Sequence, residues 1–172
     1  KDGETIESVF YPTYREASNK MAYHAGFRKR GRFKSWHNEV AKKPELLDKL
    51  KCFHGGVGDI KKGIMMFGQW LWEDATKNRI ILTCGEEDAI AAYHMTSLMT
   101  KFDGGYPTVS VPSGENVEGV KPHLRWLSSF KEILIVADND KQGRIFEKDL
   151  AKLLPVGKVS LVRLPKGIKD PS

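Results

Sequence analysis

The chain has few cysteines and no long apolar run. Cys52 and Cys84 are its only two cysteines among 172 residues. They are too few for a disulfide framework or a four-cysteine zinc site, so we expect a reducing, cytoplasmic setting. No run approaches the roughly 18 apolar residues that a transmembrane helix needs, and the polar residues 1–7 do not resemble a secretory signal. We therefore expect no membrane partner.

A phosphate-binding ATP motif is also missing. The glycine-rich segment of residues 54–59 (His-Gly-Gly-Val-Gly-Asp) lacks the Gly-Lys-Ser/Thr ending of a P-loop. We expect its glycines to serve turns in a loop.

The positive charge is concentrated in the first half of the chain. The formal net charge is +6, and the run of residues 28–34 reads Arg-Lys-Arg-Gly-Arg-Phe-Lys. After Cys84 the acidic residues fall at discrete points instead. This asymmetry fits a polyanion-binding lobe beside a metal site, and it also fits a merely solvated basic surface.

The hydrophobic pattern predicts an α/β protein. An irregular α+β region comes first, with strands over residues 9–15 and 20–27 and a helix over residues 44–51. Short apolar runs then alternate with helical patterns, which is typical of βαβ units and a mainly parallel sheet. The predicted strands are residues 79–83, 108–111, 132–137 and 158–164, and the predicted helices are residues 87–99, 121–127 and 142–153. A polar stretch over residues 73–78 places the boundary between a lobe of residues 1–75 and a domain of residues 76–172.

Acidic residues follow several of these strands. Asp138 and Asp140 come directly after the strand of residues 132–137, and two carboxylates so spaced at a strand's carboxyl end could converge on Mg²⁺. The alternative is a solvated turn, in which aspartates are common. Glu86 and Asp88 form a second cluster after the strand of residues 79–83, and Asp170 follows the last strand.

The order of these motifs resembles the TOPRIM domain. That family has a strand, Gly-Glu-x-Asp and a helix, and later a strand, Asp-x-Asp-x-x-Gly and a helix. Gly85 to Asp88 and the segment of residues 138–144 (Asp-Asn-Asp-Lys-Gln-Gly-Arg) are similar to these two motifs. The resemblance implies a Rossmann-like, mainly parallel sheet flanked by helices, preceded by a smaller basic α+β lobe.

Within that family the chain looks most like the primase half of bacteriophage fused primase–helicases. Residues 67–72 (Phe-Gly-Gln-Trp-Leu-Trp) resemble the approach to the first TOPRIM strand in those proteins. Leu164-Pro165 and Lys169-Asp170 resemble their closing segment. The last residues, with no closing helix predicted, fit a piece of a longer protein.

The resemblance implies a DNA primase, which joins ribonucleoside triphosphates into short RNA primers on a single-stranded DNA template with Mg²⁺ or Mn²⁺. Zinc-binding and helicase domains of the same polypeptide would be its partners. The implied metal ligands are Asp88, Asp138, Asp140 and Asp170, and the implied catalytic positions are Cys84, Glu86, Asp88, Asp138 and Asp140. The implied nucleic-acid and nucleotide phosphate contacts are Arg28, Lys29, Arg30 and Lys34, with Phe33, Trp36 and His37 either stacking on bases or packing in the core of the small lobe.

One position departs from the family pattern. The family has a glutamate where this chain has Cys84, and a neutral thiol is a poor Mg²⁺ ligand and no carboxylate base. Either the remaining carboxylates hold the metal, or the chain is a non-priming, DNA-binding TOPRIM module of a replicative helicase. A TOPRIM nuclease is a third reading, which the basic lobe and residues 67–72 do not favour.

Overall fold

The computed structural model describes residues 8–16, 22–31, 55–58, 63–99, 104–112 and 116–172. The chain divides into two compact units, Lys1–Ile64 and Met65–Ser172. In the part of the chain so described, no helix has the length and apolar character needed to cross a membrane.

The first unit contains a three-stranded antiparallel sheet in the order β1-β2-β3. Strands β1 (Ser8–Glu16) and β2 (Ala22–Gly31) confirm the two predicted strands. The prediction of a loop at residues 54–59 is wrong in part, because β3 (Gly55–Gly58) pairs with β2. A Cβ on residue 58 would lie 2.5 Å from the Ala25 carbonyl oxygen. The glycine at this position therefore permits the close pairing of β3 with β2. The predicted helix of residues 44–51 lies outside the described residues.

The second unit alternates strands and helices, as the sequence predicts. Its strands are built from runs rich in Ile, Leu and Val, which is typical of parallel strands covered on both faces. Its elements are β4 (Arg79–Thr83), α1 (Glu86–Met99), β5 (Thr108–Ser110), α2 (Leu124–Leu127), β6 (Glu132–Val136), α3 (Lys141–Leu153) and β7 (Val159–Leu161).

The four strands of this unit form a parallel sheet in the order β5-β4-β6-β7. The chain leaves β4 toward β5 on one side and then returns to β6 on the other side of β4. Ligands of open α/β sheets bind at such a switch point, beyond the carboxyl ends of the strands. The expected α/β fold with a mainly parallel sheet is therefore confirmed, and its switch point lies between the ends of β4 and β6.

Two apolar layers cover this sheet. Ile80, Leu82 and Ile135 belong to one buried cluster, which also contains Phe146 and Leu150 of α3. The alternate side chains of the same strands form a smaller cluster with Ala92 of α1. The sheet is thus sandwiched between helices, which fixes the ends of its strands.

The unit boundary lies earlier in the chain than the sequence predicted. The polar stretch of residues 73–78 suggested a first lobe of residues 1–75, but residues 65–75 pack with the parallel sheet. Phe67 forms a bridge with Ser110, and the Trp72 indole N–H donates to the Thr108 carbonyl at 3.0 Å. These contacts to β5 make the segment part of the second unit.

Gly143 lets α3 begin directly against the end of β6. A Cβ at this position would lie 2.0 Å from the Asp138 carbonyl oxygen. No L side chain fits there without a backbone shift, which explains the glycine of the Asp-x-Asp-x-x-Gly motif.

We predict that Gly143→Ala lowers the free energy of unfolding by about 2 kcal/mol or more, because the added methyl overpacks a backbone contact. Urea denaturation measures the change. Gln142→Ala is the matched control, since Gln142 is exposed in the same helical turn and should alter stability by less than about 0.5 kcal/mol. Equal effects of both variants would contradict the packing argument.

Candidate functional site

The loop after β6 carries two of the predicted acids in different roles. Asp140 caps α3, and its Oδ1 accepts a hydrogen bond from the Gly143 N–H at 2.9 Å. Such a cap satisfies one of the amide groups at a helix start. Asp138 is mostly buried, with its side chain 19% exposed. One carboxylate oxygen of Asp140 therefore serves as the cap of α3, and Asp138 is not the capping residue.

Acidic residues from three strand ends lie close enough to influence one another. Burial raises the pKa of the Asp88 carboxyl above its usual value, and the nearby Asp138 and Asp170 charges raise it further. A hydrogen bond with Ser172 and the charge of Glu87 act in opposite directions on the same pKa. Asp88 thus lies near Asp138 and Asp170 beyond the carboxyl ends of the strands, and the roles predicted for the three residues stay predictions.

Lys169 places a positive charge among these acids. Its ammonium nitrogen lies 3.6 Å from Asp138 Oδ2 and 3.8 Å from Asp140 Oδ2. The lysine side chain is 55% exposed, so each ion pair is worth little by itself. The two distances nevertheless show that Asp138 Oδ2 and Asp140 Oδ2 both lie within 4 Å of one ammonium group.

The turn between β4 and α1 brings Asp88 back toward its own backbone. A Cβ on Gly85 would lie 2.9 Å from Asp88 Oδ2, so the glycine makes room for the carboxylate. Glu86 is buried in the first turn of α1, while Glu87 is exposed. Cys84 belongs to the larger apolar cluster beneath the sheet end.

Asn139 fastens the turn that carries Lys169. Its backbone N–H donates to the Lys169 carbonyl at 2.6 Å, and its side-chain amide donates to the Ile168 carbonyl at 3.0 Å and, more weakly, to the Pro165 carbonyl at 3.4 Å. The middle residue of Asp-x-Asp therefore ties the loop after β6 to the segment after β7. This connection positions Lys169 and Asp170 beside Asp138.

A buried glutamate extends this connection into α3. Glu147 is 2% exposed, and both of its oxygens accept from Arg144 at 3.1 Å. Arg163 also donates to Glu147, and Arg144 donates to the Asn139 side-chain oxygen. The sequence analysis missed Glu147 and Arg163. A signal was present, because Glu147 shares the buried face of α3 with Phe146 and Leu150.

The predicted basic contacts lie in the first unit. Arg28 is half-buried in β2, Lys29 and Arg30 also belong to β2, and Lys34 lies outside the described residues. Phe33, Trp36 and His37 lie outside them as well. The phosphate-binding role of the basic residues stays a prediction.

The metal site also stays a prediction. Among the described residues, no three His, Cys, Asp or Glu side chains stand in an arrangement that could hold a metal ion. The donor chemistry fits, because Mg²⁺ takes one or two carboxylates and completes its shell with waters and phosphate oxygens.

No family model matches the chain. A DNA helicase/primase of Enterobacteria phage T3 is 30% identical over 106 residues, which cover 60% of this chain and 17% of that protein. The Gene 57 protein of Mycobacterium phage D29 is 36% identical over 87 residues, which cover 50% of this chain and 48% of that protein. The chain thus spans less than half the length of either curated relative.

Two solved structures share the fold. The primase fragment of the bacteriophage T7 primase-helicase matches 95% of this chain and 56% of its own, with a TM-score of 0.65 and 24% identity. A chain from the complex of T7 lagging-strand DNA polymerase with two primase domains, bound to an RNA/DNA hybrid and dTTP, matches 95% of this chain and 68% of its own, with a TM-score of 0.67 and 21% identity. The predicted resemblance to the primase part of phage primase–helicases is confirmed.

We predict that Asp88→Asn stabilises the protein near neutral pH. A raised pKa means that the folded state holds the Asp88 proton more tightly than the unfolded state, so ionisation destabilises the fold as the pH rises through the usual carboxylate range toward the raised value. The amide cannot ionise and escapes this cost. Urea denaturation across pH should show the gain shrinking as the pH falls below the usual carboxylate range. The exposed neighbour Glu87→Gln is the control, and a gain that does not vary with pH would refute the argument.

We also predict that Glu147→Ala lowers the free energy of unfolding by about 1–3 kcal/mol, since it removes the buried partner of Arg144 and Arg163 while both arginines keep access to water. Thermal and urea denaturation measure the loss. Asp149→Ala breaks an exposed pair with Lys152 on the same helix and should cost under about 1 kcal/mol. A loss no greater than that of Asp149→Ala would show that the buried ion pairs of Glu147 contribute no more to the free energy of unfolding than an exposed pair does.

Proposed function

We propose that the chain is the catalytic region of a DNA primase, which makes short RNA primers on single-stranded DNA during phage replication by metal-dependent nucleotidyl transfer. The observation that carries the proposal is that Asp88 is buried near Asp138 and Asp170 at the carboxyl edge of the sheet, where burial and, to a smaller extent, the charges of these two neighbours raise its pKa. A fold has little reason to crowd like charges unless a cation or a substrate uses them.

The relatives support the reaction type. The T3 relative is named a helicase/primase and the T7 structural neighbour is a primase fragment. The two segments that resemble the TOPRIM motifs, Gly85 to Asp88 and residues 138–144, contain Asp88 and Asp138 of this acidic group. The proposed activity is therefore located at one edge of the sheet.

A divalent ion would bind Asp138 and the Oδ2 side of Asp140, with Asp88 and Asp170 nearby. It would compete with Lys169 for the same oxygens, since the ammonium lies within 4 Å of both aspartates. When bound, Mg²⁺ or Mn²⁺ would stabilise the charge that develops on the α-phosphate and lower the pKa of the attacking 3′-hydroxyl.

The chain's own side chains would bind and orient the substrates. Lys169 lies where it could donate to a phosphate oxygen of a ribonucleoside triphosphate. Arg28, Lys29 and Arg30 of β2, with Lys34, would neutralise template or triphosphate phosphates. Asn139 would keep Lys169 aligned through the hydrogen bonds that hold its turn.

The T7 neighbour is described as bound to an RNA/DNA hybrid. We propose single-stranded DNA and ribonucleotides as the substrates of this chain. Zinc-binding and helicase domains of the same polypeptide would select the start site and supply the template, in the cytoplasm of the host cell.

One observation favours a second function. Cys84 occupies the family's glutamate position and packs in the apolar core, which leaves the site one carboxylate short. The chain would then be a non-priming, DNA-binding module of a replicative helicase. A template-dependent primer assay of this chain and of Cys84→Glu separates the two, because product from the unchanged chain excludes the module, and product only from the variant supports it.

We predict that Asp138→Ala lowers Mn²⁺ affinity by at least about tenfold and abolishes primer synthesis, because it removes the more buried of the two aspartates proposed to bind the ion directly. Isothermal titration and the primer assay measure the two effects. Asp149→Ala removes an acid from the exposed side of α3 and should leave both unchanged. Equal Mn²⁺ affinity in the Asp138→Ala variant and the unchanged chain would overturn the metal assignment.

A further inference from the structure

Aromatic side chains lie exposed on one face of the antiparallel sheet. Phe10 of β1 is 49% exposed and Phe27 of β2 is 36% exposed. Their rings meet edge to face at 6.2 Å. His24, which is also exposed, contacts Phe27 at 4.4 Å and Tyr14 at 5.7 Å between ring centroids. The four residues Phe10, Tyr14, His24 and Phe27 form one aromatic strip.

The strand register explains why these four share a face. Pro12 pairs with Phe27 and Tyr14 pairs with His24, while a bulge between Thr13 and Tyr14 shifts the register of β2. The extra residue of β2, Ala25, interrupts the alternation of that strand, so His24 and Phe27 point to the same side although they are three residues apart.

The other face of the sheet is covered at the middle of β1. Tyr11 and Thr13 alternate with the strip along β1 and are 5% and 4% exposed. An antiparallel sheet with one covered face normally presents polar side chains on its solvated face. Here the solvated face presents aromatic rings, and such a surface marks an interaction site.

Charge identifies the kind of partner. Residues 1–64 contain fourteen Lys and Arg against eight Asp and Glu, whereas residues 65–172 contain fourteen of each. The whole formal charge of +6 therefore belongs to the unit that carries the aromatic strip. A positive unit with exposed aromatic rings fits a polyanion whose bases are unpaired, which is single-stranded nucleic acid.

We propose that the aromatic strip is a stacking surface for the bases of single-stranded DNA. The inference deepens the proposed function and rests on its template, but it assigns base contacts to residues outside the basic run of residues 28–34. Phe10 and Tyr14 are about 13 Å apart along β1 at about 3.3 Å per residue, so the strip offers separate rings to more than one base. Stacking of this kind tolerates any sequence, because every base has a π face.

The test compares two single strands that differ only in their bases. The full chain is titrated, in EDTA, with a labelled oligothymidylate of about 15 nucleotides and with an abasic strand of the same length and charge. Phe27→Leu should weaken oligothymidylate binding about tenfold and leave abasic binding unchanged. Tyr14→Leu should act in the same direction, and Phe27→Trp should retain the affinity.

Tyr23→Leu is the matched control, since Tyr23 is 49% exposed in the same strand but pairs with Arg15 on the other face. It should bind both strands as the unchanged chain does. Equal affinities of Phe27→Leu and the unchanged chain for oligothymidylate would overturn the proposal and leave the strip to a protein partner. Equal losses on both strands would also overturn it, because they would show a charge or folding effect.

Binding in EDTA is independent of the metal and of catalysis. Asp138→Ala should bind oligothymidylate normally in this assay even though it makes no primers. If the unchanged chain made primers but bound oligothymidylate no more tightly than the abasic strand, the strip alone would be rejected. If the unchanged chain bound oligothymidylate more tightly but made no primers, only the catalytic role would be rejected.

Discussion

The burial of an acidic side chain among other acids at the carboxyl edge of the parallel sheet is the constraint on which the proposed site depends. Because β4, β6 and β7 run in one direction, the residues that follow them meet at one edge. Three of those residues, Asp88, Asp138 and Asp170, are acidic, and Asp88 is also buried. The fold therefore bears a free-energy cost near neutral pH that apolar residues would not impose.

The surrounding structure holds the acidic side chains in place, and Lys169 neutralises their charge only in part. Lys169 is the nearest cation to Asp138 and Asp140 among the ion pairs of the described residues, and its pairs are long. Geometry is held instead by backbone contacts, above all the approach of Gly143 to Asp138 and the bond from Asn139 to Lys169. The proposed site, held in this way, would not need to reorganise when a cation binds, which is the condition for electrostatic catalysis.

Those features that depend on local patterns were predictable from the sequence. The apolar runs of β4 and β6 end where the sequence places them, within one residue, because buried parallel strands must be continuously apolar. The pairing of Gly55–Gly58 with β2 was not predictable, since glycines give no strand signal. Glu147 and Arg163 meet only through the packing of α3 against the segment after β7. The spacing of these residues in the sequence does not predict such a long-range ion pair.

Cys84 is neutral at a position where the TOPRIM resemblance implies a glutamate, and this lowers the negative charge at the same edge of the sheet. A carboxylate at this position would have to leave the apolar cluster that now holds the thiol, or ionise inside it at a large cost. It would also add a fourth negative charge to a group in which repulsion already raises the pKa of Asp88. The thiol relieves that repulsion and packs as a small apolar side chain. A cation at the proposed site would therefore draw its carboxylate ligands from the loops after β6 and β7 and from Asp88, which would make the loop held by Asn139 the structural centre of that site.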